Sequence, residues 1–248
     1  MKYLQILLIL MIFISCEKSN ETAQEIVDKA IENAGGEKYE NAEISFDFRN
    51  ISYRSSRKAG KFRLERFQKD TLLGEIHDVL DNKGFARYLG ESKIELPDSL
   101  VQAYTNSVNS VHYFMELPYG LNDPAVNKKL IGKDSIEGRE YYEIRVTFDK
   151  QGGGEDHQDE YLYWIDTQNF GVDYLAYNYE TEGGGVRFRK AINPRRIEGI
   201  RFVDYQNYGY NDINVELSKL DNLYEAGQLF KVSDIRNKNI EVNLNPDF

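Results

Sequence analysis

The chain has 248 residues, 41% of them hydrophobic and 13% aromatic, with eighteen tyrosines against one tryptophan, which is ample material for a core and argues against a disordered segment. Its formal charge of −10 disfavours polyanionic partners, because nucleic acid and anionic lipid surfaces repel such a protein on average. Cys16 is the single cysteine, so no intramolecular disulfide can form.

The first residues read as an export signal. Lys2 supplies a positive start, residues 4–14 are apolar apart from Gln5, and Ser15-Cys16 closes the run with a small residue before the cysteine. The apolar run is about half the ~20 residues that a spanning helix needs. Glu17-Lys18-Ser19-Asn20-Glu21 then turns polar at once. Cleavage after Ser15 is expected, giving a signal peptide over 1–15 and moving the formal charge from −10 to −11 as Lys2 leaves. Phe13-Ile14-Ser15-Cys16 resembles the bacterial lipobox, although Phe13 stands where leucine is most usual. That resemblance implies diacylglycerol on the Cys16 thiol, an N-acyl group on its amine, and a tether over 16–21 holding the protein to a membrane of the cell envelope, the outer membrane first. The alternative is an ordinary signal peptide that contains a cysteine.

Residues 22–34 read as a helix. Thr22 and Glu25 have capping-box spacing, Ala23, Ile26, Val27, Ala30, Ile31 and Ala34 recur at helical intervals, and Gly35-Gly36 supplies the stop. From residue 43 the period becomes two: Ile44, Phe46 and Phe48 alternate with polar residues, as do Phe62 and Leu64, and shorter pieces follow at 76–80 and 85–89. A second helix is expected over about 98–117, bounded by Pro97 and Pro118, with Leu100, Tyr104, Val108, Val111 and Met115 at three- and four-residue steps. Strands are then expected at 141–148, 160–165, 172–179, 186–192, 197–208 and 213–220, with a last one at 240–244. Two triple-glycine stretches, Asp166 to Asn169, Asn193-Pro194 and Gly209 to Asp212 supply turns between them. No composition shift divides residues 22–248, so the expectation is one mostly β domain with minor α content: a large curved antiparallel sheet with two helices packed on one side.

Particular strings carry a resemblance. LPYGLNDPAVNK (117–128), TFDKQGGGED (147–156), YWID (163–166), DYLAYNY (173–179) and GGGVRFRKA (183–191) resemble an uncharacterised bacterial lipoprotein family with a lipoprotein-carrier fold of the LolA and LolB type. The order of parts, a lipobox, a capped helix and a long meander broken by a second helix, is similar to that fold as well. What the resemblance implies is an unclosed barrel whose concave face, covered by helices, accepts acyl chains. It implies no catalytic residue. Under it, Tyr104, Val108, Val111, Phe114 and Met115 become candidate walls for a lipid or other apolar ligand, and simple core filling is the alternative for the same residues.

Consecutive antiparallel strands return every second connection to the same edge, which places the two glycine-rich loops side by side. Asp149, Glu155, Asp156, Asp159 and Glu182 would then approach one another, a carboxylate set that suits Ca2+, with Arg187 and Arg189 as the simpler counter-charge. Acidic hairpin tips are also common for solubility alone. His77, His112 and His157 have no metal-ligand spacing, and no nucleophile elbow, phosphate loop or dinucleotide fingerprint occurs. Tyr161 with Tyr163, Tyr177 with Tyr179, and Tyr205 form an aromatic surface that is either a core layer or a binding stripe, with Trp164 on the opposite face. Three functional classes remain: a carrier of a lipid or apolar ligand, an envelope module that binds protein or glycan through a filled fold, and a hydrolase using surface carboxylates. The expectation is a non-enzymatic monomer without cofactor, attached to a membrane through lipid and without a nucleic-acid partner.

Overall fold

In the computed structural model, which describes residues 21–151, 159–180 and 183–247, the polypeptide folds as predicted from its periodicities over most of its length. Helix α1 (Ala23–Ala34) starts where Thr22 accepts from the Glu25 amide while the Glu25 carboxylate accepts from the Thr22 amide, so two orphan donors of the first turn are satisfied reciprocally. Gly35, at φ 150°, ends it. The apolar stripe of α1, Ile26, Val27 and Ala30, is buried.

The first sheet contains β1 (Glu43–Phe48), β2 (Ile51–Lys58), β3 (Lys61–Asp70), β4 (Gly74–Asp81), β5 (Gly84–Leu89) and β6 (Ser92–Ile94), paired in sequence. Helix α2 (Asp98–Glu116) follows and crosses to the second sheet, which is built from β7 (Val126–Ile136), β8 (Arg139–Phe148), β9 (Tyr161–Asp166), β10 (Val172–Tyr179), β11 (Gly185–Ile197) and β12 (Ile200–Gly209). After a short helix α3 (Leu220–Glu225), β13 (Phe230–Ile235) adds to β12 at the edge of the second sheet, and β14 (Lys238–Asn243) adds to β1 at the edge of the first. Two seven-stranded antiparallel sheets result, not closed into a barrel.

Helices α1 and α2 share the inner face of the second sheet. There Ile26, Val27 and Ala30 pack with Tyr142, Ile144, Val146, Tyr163, Leu175 and Tyr205. The outer face is not bare: Trp164, Tyr174, Ala176, Val186 and Phe188 are covered by Leu217 and by Leu220 of α3. Burying the larger of these side chains stabilises by roughly 1.5–3 kcal/mol each.

Three departures from expectation have physical reasons. Residues 213–220 do not form a strand. Leu217, Leu220 and Leu223 recur at helical spacing, and the chain turns through a short 3-10 helix into α3 to bury them. Asn193-Pro194 does not end its strand. Asn193 adopts φ 51°, the register shifts between Ile192 and Arg195, and the proline, which cannot donate to a ladder, sits in this bulge while the turn falls at Glu198-Gly199. Strands β2, β6, β7 and β13 have no counterpart among the expected elements. β2 buries Ser55 and Ser56, and β7 is an edge strand carrying Lys128, Lys129 and Lys133, so neither shows an apolar alternation.

Candidate cavity beneath helix α2

The C-terminal half of α2 stands off the inner face of the second sheet and leaves a cavity of about 590 Å³, within the usual range for a ligand site. Val111, Phe114 and Met115 descend into it from α2, while Tyr161, Tyr177 and Tyr205 rise from β9, β10 and β12. Val232 and Ile235 of β13 close one side, and Phe48 at the end of β1 and Arg49 of the β1–β2 turn close another. The position follows from sequence: α2 repeats its apolar residues on the side that meets the sheet, and the tyrosines occupy alternate positions of neighbouring strands.

The aromatic wall is ordered by stacking. Tyr161 lies parallel to Tyr177 at 5.2 Å between ring centroids and to Tyr163 at 6.1 Å, and Phe114 meets Tyr177 at 5.4 Å. Tyr113 of α2 shares a 2.6 Å hydrogen bond with the Tyr163 hydroxyl, which pins the helix to the sheet deep in the interior. Burial holds the phenols of Tyr161 and Tyr163 well above their ordinary pKa, so both are neutral hydrogen-bonding groups at physiological pH.

Three of the five candidate wall residues, Val111, Phe114 and Met115, line the cavity. Tyr104 and Val108 do not. Tyr104 stacks 3.6 Å from the Arg87 guanidinium, over a buried cluster in which Asp78 accepts from both Arg66 and Arg87 at 2.6–2.9 Å. Val108 is wholly buried. Of the tyrosines, Tyr161, Tyr177, Tyr179 and Tyr205 border the cavity, while Tyr163 is buried below it and Trp164 is buried on the outer face.

Among the proposed carboxylates, Glu155, Asp156 and Glu182 lie outside the described residues, as do Cys16, the signal segment and His157. Asp149 accepts from Asn127 at 2.8 Å, and Asp159 is buried in the cavity wall. The roots of the two glycine loops do adjoin, since β8 to β11 pair in sequence and Tyr161 stands opposite Tyr177. Arg187 and Arg189, however, turn into the cavity, Arg187 over the Tyr179 ring and Arg189 against Phe114. The described carboxylates that do converge are elsewhere: Asp134, Glu143 and Asp221 bring oxygens within 4.8 Å of one another, between β7, β8 and α3. No sequence spacing signals that group, because its members meet only through tertiary packing. Burial first, then Asp134 and Asp221, push the Glu143 carboxyl up to about 7. His112 donates from Nε2 to the Glu65 carbonyl, 3.1 Å away, and burial lowers its pKa; His77 stacks on Phe67.

A family model described as a family of unknown function, DUF6503, matches residues 2–237. The chain belongs to this family. The fold is similar to that of a LolA superfamily protein from Nitrosomonas europaea, with a TM-score of 0.51 and 13% identity over 92% of this chain and 95% of that one. A DUF1329 family protein from Desulfovibrio piger aligns with a TM-score of 0.44 and 13% identity over 91% of this chain and 95% of that one. No curated protein matches the sequence. The DUF6503 chain thus has the LolA-like fold, and no helix among its described residues is long and apolar enough to cross a membrane.

Proposed function

We propose that the protein is a lipid-anchored, non-enzymatic carrier of the bacterial cell envelope that holds a lipid or similar apolar ligand between α2 and the second sheet. The observation that carries this reading is the cavity of about 590 Å³ with Val111, Phe114, Met115, Val232 and Ile235 in its walls, in a fold similar to that of a LolA superfamily protein. Cys16, in its lipobox-like setting, supplies the anchor, since two acyl chains hold a protein stably at a membrane where one does not.

The test compares two substitutions on the same helix. Val111→Trp fills the cavity and is expected to reduce copurifying lipid while keeping the melting temperature close to wild type. Val108→Trp forces bulk into a fully buried site and is expected to cost about 1–3 kcal/mol or more. Lipid-free wild-type protein after native extraction, together with equal destabilisation by both substitutions, rejects the carrier reading. A second reading, an interaction module, has one observation in its favour: the β3–β4 hairpin tip displays Leu72 at 92% and Leu73 at 57% exposure, with their amides fixed by Asp70. Loss of a pulled-down partner in a Leu72→Ser, Leu73→Ser variant that retains lipid would favour it.

A further inference from the structure

The cavity is not apolar throughout. Along β11 the side chains alternate, with Val186 and Phe188 packed into the outer cluster and Arg187 and Arg189 facing the cavity. Arginine on the buried face of a central strand is costly: removing a guanidinium from water is repaid only by a counter-charge or a full set of acceptors. Arg189 is 8% exposed. Its Nη2 donates to the Tyr177 hydroxyl at 2.6 Å and its plane lies 3.8 Å from the Phe114 ring centroid. Its Nε is buried with no acceptor. Arg187, over the Tyr179 ring at 4.8 Å, and Arg49 line the same space, against Asp159 as the acidic side chain of the described wall. In a chain of charge −10, this is a locally positive pocket with an open donor.

We propose that Arg189 receives the anionic headgroup, a carboxylate or a phosphate monoester, of a single-chain amphiphile whose tail lies among Val111, Phe114, Met115 and Ile235. The inference rests on the carrier reading and adds its selectivity. The geometry fits the chemistry. A guanidinium offers paired coplanar donors to a planar anion, Phe114 and Tyr177 hold that plane in place, and the surrounding aromatic wall strengthens a charge-assisted bond by excluding water. A purely apolar ligand would leave Nε unpaired, whereas an acidic headgroup satisfies it. Arg187 and Arg49, nearer the surface, raise the local concentration of anions at the mouth.

The experiment measures equilibrium binding of palmitate and of hexadecanol, two chains of equal length that differ in head charge, to the full chain stripped of copurified lipid. Wild type is expected to prefer palmitate by about tenfold or more, the contribution of one charged hydrogen bond. Arg189→Gln and Arg189→Met are expected to erase that preference while still binding hexadecanol. The methionine variant is expected to keep its melting temperature, because a buried guanidinium with an unsatisfied Nε is being replaced by an apolar side chain of similar length. Equal affinity of wild type for the two chains, or a palmitate preference that survives both substitutions, overturns the proposal. Displacement of palmitate by millimolar inorganic phosphate overturns it too, since the site would then be one for free anions. Failure of wild type to bind hexadecanol or palmitate counts against the carrier reading itself, so the two ideas fail by different results.

Discussion

Asp78→Ala is expected to be among the most damaging substitutions outside the cavity. Asp78 is fully buried and accepts two hydrogen bonds from Arg66, at 2.9 and 2.6 Å, and two from Arg87, at 2.6 and 2.9 Å. Both arginines are themselves more than nine-tenths buried. Removing the carboxylate leaves two guanidiniums without their counter-charge, a loss of about 3–5 kcal/mol. For a domain of this size that corresponds to a fall in melting temperature of roughly 6–20 °C. The cluster also holds the first half of α2: Arg66 donates to Ser107 at 2.8 Å and the Tyr104 ring covers Arg87. The damage should therefore extend to the helix that roofs the cavity, and ligand should be released faster as well. Thermal and urea unfolding followed by circular dichroism supply the measurement. Replacing all three members with apolar residues, Arg66→Met, Asp78→Leu and Arg87→Met, is expected to recover most of the loss. A drop below about 2 °C for Asp78→Ala, or a triple variant no better than the single one, would refute the reasoning.

Stability should also depend on pH through the outer carboxylate cluster. The Glu143 carboxyl sits at about 7 and that of Asp221 at about 6, both raised chiefly by burial, whereas in the unfolded chain they ionise near the usual carboxylate values. The folded state therefore holds protons that the unfolded state has lost, so stability is greatest below about pH 4.5 as far as these groups are concerned and falls as pH rises towards 7. Glu143→Gln is expected to flatten that slope in melts between pH 5 and 8, roughly the window of the shift, and an unchanged slope would remove the assignment. Cys16→Ala is expected to move the protein from the membrane to the soluble fraction or to leave it unprocessed; a processed variant with a free N-terminus that still sediments with membranes would exclude the anchor. Thr22→Ala breaks both halves of the α1 capping box and should cost about 1 kcal/mol, read as a small shift of the urea midpoint.

Elements with a clean apolar period were legible: α1, α2, β8, β9 and β10 lie within a residue or two of where alternation and caps place them. What escapes is polar inside. The inner face of the first sheet buries Ser55, Arg66, Asp78 and Arg87, the last three paired with one another beneath α2, so β2 looks like a loop and Tyr104 like a ligand wall when it covers an ion cluster. From sequence, Arg187 and Arg189 stand out only as counter-charges to the acidic loops. The available signal was the strict alternation V-R-F-R on a strand whose other face is Val186 and Phe188, since it places arginine where a core residue is due.

The pairing of β1 with β14 has a consequence for how the molecule is made. Glu43 stands opposite Asn243, so this ladder cannot begin until nearly the whole described chain has left the ribosome. Until then β1 presents an open row of backbone donors and acceptors, beside the apolar Ile44 and Phe46. A nascent chain is thus exposed to edge-to-edge association for longer than its two local meanders require, and its yield should respond more to holding chaperones than to anything that speeds hairpin formation.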